Sequence, residues 1–211
     1  MKKILLISCL LIAYTSFSQA QFKYVVKKYF RTHPLDMRFS NFILSLHKDP
    51  WFTIDVENRR TDSTFFYLSG TYKNYNPFQY APKELRLVLA EMQIVHEDSL
   101  KTLDTIINLQ LMGIVDSSVA SKKMVEKEFK RFHNNNADRF SNNTYNSYKS
   151  KDGETVAEIH NYFVSPFAIA PITIAWGVQG ETHQYLFTIT LRFKVKQNMA
   201  TFIVSPEQLL D

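Results

Sequence analysis

Cysteine is all but missing from this 211-residue chain, and Cys9 is the only one. It lies in MKKILLISCLLIAYTSFSQAQ, where Lys2 and Lys3 precede an apolar stretch from Ile4 to Tyr14 and then small or polar residues to Ala20. That order is the pattern of a secretory signal peptide, and Ser18 and Ala20 place the expected cleavage after Ala20. A chain processed there keeps no thiol, which excludes disulfides, thiolate metal sites and cysteine nucleophiles. Leu6-Ile7-Ser8-Cys9 superficially resembles a lipobox. Cys9 follows Lys3 too closely, however, and lipoprotein anchoring is not expected. The apolar stretch is also shorter than the roughly 20 residues that span a bilayer, so no transmembrane segment is expected after cleavage. These residues point to export, into the periplasm or beyond the cell.

Glycine is scarce too, at five residues. There is no glycine-rich phosphate loop, no Gly-x-Ser-x-Gly elbow and no zinc-protease helix motif. The six histidines, His33, His47, His96, His133, His160 and His183, include no His-x-x-x-His pair. No metal and no cofactor are expected from such a chain. Charge of one sign is likewise lacking. Without Lys2 and Lys3 the 25 basic residues fall to 23 against 20 acidic ones, a net charge of about +3. That is too mild for a nucleic-acid partner. The basic residues Lys23, Lys27, Lys28 and Arg31 read as a solvated face.

Aromatic residues, at 14%, are what the chain has in quantity. With so little glycine they argue against disorder and for a packed core. Residues 21 to 211 fit a single domain. Leu35, Phe39, Phe42, Ile43 and Leu46 recur at helical steps and predict a helix over about 33–48, ended by Asp49-Pro50. A second helix is predicted over about 118–133, with Val125, Phe129 and Phe132 inward. WFTIDV (51–56) and STFFYLSGTY (63–72) read as a hairpin. Glu84 to Glu97 and Thr102 to Val115 read as a second, longer one, with a change of apolar phase near Ala90 that suggests a bulge. HNNNADRFSNN (133–143) reads as a loop. A strand follows from Glu154 to Val164, then another from Ile172, and Tyr185 to Lys196 alternates strictly. The expected fold is α+β, a single domain of mostly antiparallel sheet with two main helices packed on it.

Candidate chemistry is thin. Glu158 and His160 share a strand face, and the phase of Ala157, Ile159 and Phe163 assigns that face to solvent. Asp55 and Glu57 form a second possible carboxylate pair. Asp-Ser and Asp-Thr triplets at Asp62, Asp98 and Asp104 read as turns rather than O-glycosylation acceptors. Two stretches invite recognition. NYNPFQY puts Tyr75, Phe78 and Tyr80 in a loop, where aromatic groups serve binding well. VSPFAIAPITIAWG, uncharged and broken by Pro166 and Pro171, is a crossing between strands that either buries Phe167, Ile169 and Trp176 or lines a pocket with them. The combined reading is an exported, non-enzymatic module that binds an envelope protein or an apolar or glycan ligand. The alternative is a small hydrolase working through Glu158 with His160, or Asp55 with Glu57.

Overall fold

A computed structural model describes residues 22–34, 37–59, 65–95, 103–140, 142–163, 170–180, 182–198 and 201–204. The expected leader, Phe167 and Ile169 lie outside the described residues. Among the described residues ten strands and three α-helices follow one another as α1 (residues 22–29), β1 (Met37–Arg38), α2 (Phe39–Lys48), β2 (Phe52–Asn58), β3 (Tyr67–Tyr72), β4 (Glu84–Val95), β5 (Leu103–Ile114), α3 (Val119–Asn136), β6 (Asn142–Lys149), β7 (Thr155–Phe163), β8 (Ile172–Val178), β9 (Tyr185–Asn198) and β10 (Thr201–Val204). The class is α+β, and every strand pair is antiparallel.

The main sheet runs β2-β3-β4-β5-β9-β8-β7-β6. It is two meanders of four strands joined at the centre by the β5–β9 ladder, where Leu109 faces Leu191 and Leu111 faces Ile189. Eight strands at about 4.8 Å spacing make it roughly 34 Å wide. Beyond this sheet β9 continues into β10, which also pairs with β1.

Alternation divides the sheet into two faces. The inner face carries Leu68, Leu87, Leu89, Leu109, Leu111, Ile174, Trp176, Phe187, Ile189 and Leu191, all at 1% exposure or less. The helices rest on it. Phe22, Val25, Val26 and Tyr29 of α1, Phe42 and Leu46 of α2, and Val125, Phe129 and Phe132 of α3 complete one continuous core. The outer face is mixed, with Gln110, Thr173, Thr190 and Arg192 beside Val88, Ile106, Met112 and Ile114, and the described residues place no helix over it. An antiparallel sheet tolerates this because the pleat separates its two faces.

Capping explains where α3 begins. Ser118 accepts the Ser121 N–H at 3.1 Å. Asp116 in turn accepts the Ser118 N–H at 2.8 Å and the Ser121 hydroxyl at 2.6 Å. Those hydrogen bonds hold its carboxyl low, at about 2.

Five local expectations are revised. The first long helix starts at Phe39 rather than near residue 33, because Met37 and Arg38 pair with β10 as a strand. No helix was expected before residue 33, yet residues 22–29 form α1, with Lys27 and Lys28 on a solvated face as read and an inward face that repeats at helical spacing. No bulge interrupts β4 at Ala90, since Ala90, Glu91 and Met92 pair in unbroken register with Asn108, Ile107 and Ile106. The alternation simply continues, burying Glu91 and exposing Met92. Glu91 is accommodated inward because its carboxylate accepts the Phe66 N–H at 3.1 Å. The asparagine-rich stretch after His133 is not a loop throughout. It extends α3 to Asn136 and passes through a 3₁₀ turn (Ala137–Arg139) before β6 begins. Finally, β7 presents Glu158, His160 and Tyr162 to the inner face, the reverse of the expected phase.

Candidate functional site

The NYNPFQY loop is built from the inside out. Phe78 and Tyr80 stack with ring centroids 5.4 Å apart, and Phe78 meets Phe187 edge-on at 5.4 Å. Both rings are buried. The Tyr80 hydroxyl donates to the Gly113 carbonyl at 2.9 Å, and burial raises its pKa. Gly113 has to be glycine here, because a β-carbon would collide with the Tyr80 hydroxyl and lie 2.6 Å from the Phe78 ring. Asn76 shapes the turn, accepting the Phe78 N–H at 3.0 Å and donating to the Tyr80 carbonyl at 2.7 Å. Gln79 donates its N–H to Glu128 on α3 at 3.3 Å.

Above these anchors lies an open cleft of about 620 Å³. Its walls are the end of β3 (Thr71 and Tyr72), the turn Lys73 to Asn76, and Ala81 to Leu85 leading into β4. The volume falls within the range of small-ligand sites, about 300–1,000 Å³. Asn74 turns the corner at φ +58°, a left-handed conformation that asparagine tolerates better than most residues. Tyr75 is half-buried, packs edge-on against Tyr72 at 5.2 Å, and donates its hydroxyl to the Tyr29 carbonyl at 3.0 Å. Burial pushes its pKa up to about 12, so it remains a neutral phenol. Lys73 and Lys83 are exposed, and Glu84 is already paired with Arg86 at 2.6 Å. The cleft therefore offers amides, a threonine hydroxyl, an aromatic wall and two ammonium groups.

Of the described residues expected to bind, only Tyr75 lines this cleft. Phe78 and Tyr80 are buried in the core instead, where they pack against each other and Phe78 meets Phe187. Trp176 is 1% exposed and also belongs to the core. Lys73, Asn74, Lys83 and Thr71 were not singled out from the sequence. Only the antiparallel return of the chain from β3 to β4 brings them together.

A second cluster surrounds the Glu158 and His160 pair. Glu158 accepts the Trp176 indole N–H at 2.5 Å and the Tyr145 hydroxyl. His160 stacks on His133 with centroids 4.1 Å apart, beside Phe129, Tyr145 and Tyr162. His133 Nδ1 hydrogen-bonds the Tyr162 hydroxyl at 3.0 Å. His160 is 8% exposed, and its buried Nδ1 has no hydrogen-bond partner. Among the described residues no serine, threonine or cysteine side chain hydrogen-bonds Glu158 or His160, whose imidazole is tied only to the Thr144 backbone. Asp55 and Glu57 fare no better as a carboxylate couple. The register shifts between Ile54 and Val56, leaving Asp55 exposed, while Glu57 meets His47 at 3.0 Å. No group of three or more potential metal ligands occurs among the described residues.

No family model, curated protein or solved structure matches this chain. No helix among the described residues is long and apolar enough to cross a membrane.

The histidine stack makes the fold sensitive to acid. Burial lowers the pKa of His160 from its ordinary 6.5, and repulsion from His133 acts in the same direction, against the opposing pull of Glu158 and a backbone hydrogen bond with Thr144. The unfolded chain then takes up the proton first as the pH falls, so this contribution to stability is present above about 6.5 and is lost below it. Urea midpoints at pH 7.5 and 5.5 are expected to differ, the lower value belonging to pH 5.5. His160→Phe should shrink the difference. Equal midpoints for the parent protein would contradict this account. Asp116 does not blur the test, because its stabilisation disappears only between about pH 3.8 and about 2.

Proposed function

We propose that this protein is an exported, non-enzymatic binding module that holds a glycan in the cleft between Thr71 and Leu85. The observation that supports this most directly is the lining of the cleft. Amide, hydroxyl and ammonium groups surround the side of a tyrosine ring, a combination suited to a polyhydroxylated ligand and poorly suited to an apolar one. The support beneath it is rigid, since buried aromatics and backbone hydrogen bonds fix the loop before any ligand arrives. A hydrolase built on Glu158 and His160 finds less support. Both carboxylate oxygens of Glu158 already accept hydrogen bonds, and His160 is occupied in an imidazole stack.

The test is a broad glycan screen with the purified protein, followed by calorimetry on the best ligand. Lys73→Ala with Lys83→Ala is expected to weaken binding at least tenfold while leaving the circular dichroism spectrum unchanged, because both side chains are exposed. Absence of any glycan ligand, or unchanged affinity in the double variant, would remove the cleft as the site. Mass spectrometry of the protein from its native cell envelope checks export separately, the expected mature N-terminus being Gln21.

A further inference from the structure

Trp51, the residue before β2, borders the cleft. Its carbonyl accepts the Lys73 N–H at 2.7 Å, which sets it one strand spacing, about 4.8 Å, from a wall of that cleft. The side chain is 38% exposed, in contrast to the buried Trp176. Yet it is held firmly. Asp49 accepts the Trp51 backbone N–H through Oδ1 at 3.0 Å and the Arg31 Nε–H through Oδ2 at 2.8 Å. The guanidinium of Arg31 lies over the indole, 3.9 Å from the ring centre. One carboxylate thus fixes both an aromatic plate and the cation that backs one of its faces. Arg31 is also within electrostatic reach of Tyr72 and Tyr75, so the plate and the aromatic wall of the cleft are neighbours. Among the described residues the indole N–H finds no acceptor. A ring immobilised at the surface has already lost the freedom that binding would otherwise take from it.

We propose that Trp51 is a stacking platform that extends the cleft, and that the ligand is a neutral, linear glycan of β-1,4-linked hexoses, one ring lying on the indole while its neighbour occupies the cleft. This rests on the reading of the cleft as a glycan site and adds the linkage and charge of the chain it takes. A hexose with equatorial substituents turns its axial C–H bonds to the two ring faces, which gives it a flat apolar side for an indole and a rim of hydroxyls for the amides and ammonium groups beyond. A β-1,4 linkage keeps successive rings in line, as a plate beside a cleft requires, whereas an α-1,4 chain curls away. Neutral sugars fit because Asp49 already balances Arg31, so the guanidinium behind the plate recruits no anion. A protein partner fits less well. Its hot spots want apolar surroundings, and the groups that touch Trp51 are Arg31, Asp49 and the backbone of Lys73.

The chain has two tryptophans, and Trp176 is buried, so a ligand-dependent change in indole fluorescence reports on Trp51. Cellohexaose added to the full chain is expected to shift the emission to shorter wavelength and to shield it from acrylamide. Calorimetry should show it binding roughly tenfold or more tightly than maltohexaose, its α-1,4 isomer. Trp51→Ala should weaken cellohexaose binding by roughly the same factor, and Trp51→Phe by less, because a smaller ring still stacks. Unchanged fluorescence at saturation or undiminished affinity in Trp51→Ala would overturn the platform, and equal affinity for maltohexaose would overturn the linkage. If Lys73→Ala with Lys83→Ala weakens binding while Trp51→Ala does not, the platform falls and the cleft stands. If the lysine pair is without effect, the cleft falls and its extension with it. Lack of saturable cellohexaose binding overturns the extension alone, leaving the cleft to the other ligands of the glycan screen.

Discussion

Arg131→Met is expected to destabilise the protein by about 3–5 kcal/mol, the range for removing one partner of a buried ion pair. Glu128 is the reason. Its side chain is 2% exposed and is paired with Arg131 three residues further along α3. Arg131 Nε donates to Glu128 Oε2 at 3.0 Å, and that hydrogen bond is the main influence raising the Arg131 pKa. The same carboxylate receives the Gln79 N–H, and Arg131 Nη2 lies 3.5 Å from the Tyr29 hydroxyl. One ion pair therefore ties α3 to both α1 and the loop beneath the cleft. Without the guanidinium, Glu128 is left as a buried charge with a single amide donor. Combining Arg131→Met with Glu128→Gln should recover most of the loss, because the neutral amide still accepts from Gln79. Urea unfolding measures both variants, and a double variant as unstable as Arg131→Met alone would contradict the ion-pair explanation.

Trp176→Ala is expected to cost a comparable amount, again about 3–5 kcal/mol, through the cavity left in the core. The indole stands between Phe187 and Glu158 in the strand register and lies 5.7 Å from the Lys122 ammonium. Its removal also takes away one of the two donors that satisfy Glu158. Trp176→Phe separates the two effects. It restores much of the volume but not the N–H, and the remaining cost is expected at about 1–3 kcal/mol. Thermal or urea unfolding of the pair gives the comparison. A phenylalanine variant as stable as the parent would show that the indole hydrogen bond adds nothing.

Much of this fold was legible in the residues. Strict alternation from Tyr185 to Lys196 is what a half-buried strand requires, and β9 lies at the centre of the sheet. Ser118, followed by Val125, Phe129 and Phe132 at helical spacing, announced α3. β6 escaped notice because NNTYNSYK has no apolar period. Its side chains from Asn143 to Lys149 are exposed, as suits an edge strand, where little burial writes a pattern into the sequence. α1 was hidden by its lysines, although Phe22, Val25, Val26 and Tyr29 repeat at helical spacing. The phase of β7 was misread because its inward residues are polar. Tyr145, Trp176 and His133 satisfy those groups from elsewhere in the chain, so the local pattern held no clue. The cleft was half legible. NYNPFQY marked the loop, but which of its rings would face the cleft depended on Gly113, a residue distant in sequence that makes room for two of them.

The position of β9 bears on how the molecule assembles. Its fourteen residues pair with β5 and β8 in the main sheet and then with β10. Each four-stranded meander is made of neighbours in sequence and can form from short loops. The seam between the two cannot, because Gly113 must wait for Phe187. β9 follows every other strand of the main sheet in chain order, so the central ladder closes after its flanks have emerged. Non-local pairing of this kind slows folding to milliseconds or longer. Until β9 docks, the inner-face leucines of β5 have no strand on that side, and that half-made sheet is the species a chaperone would have to shield.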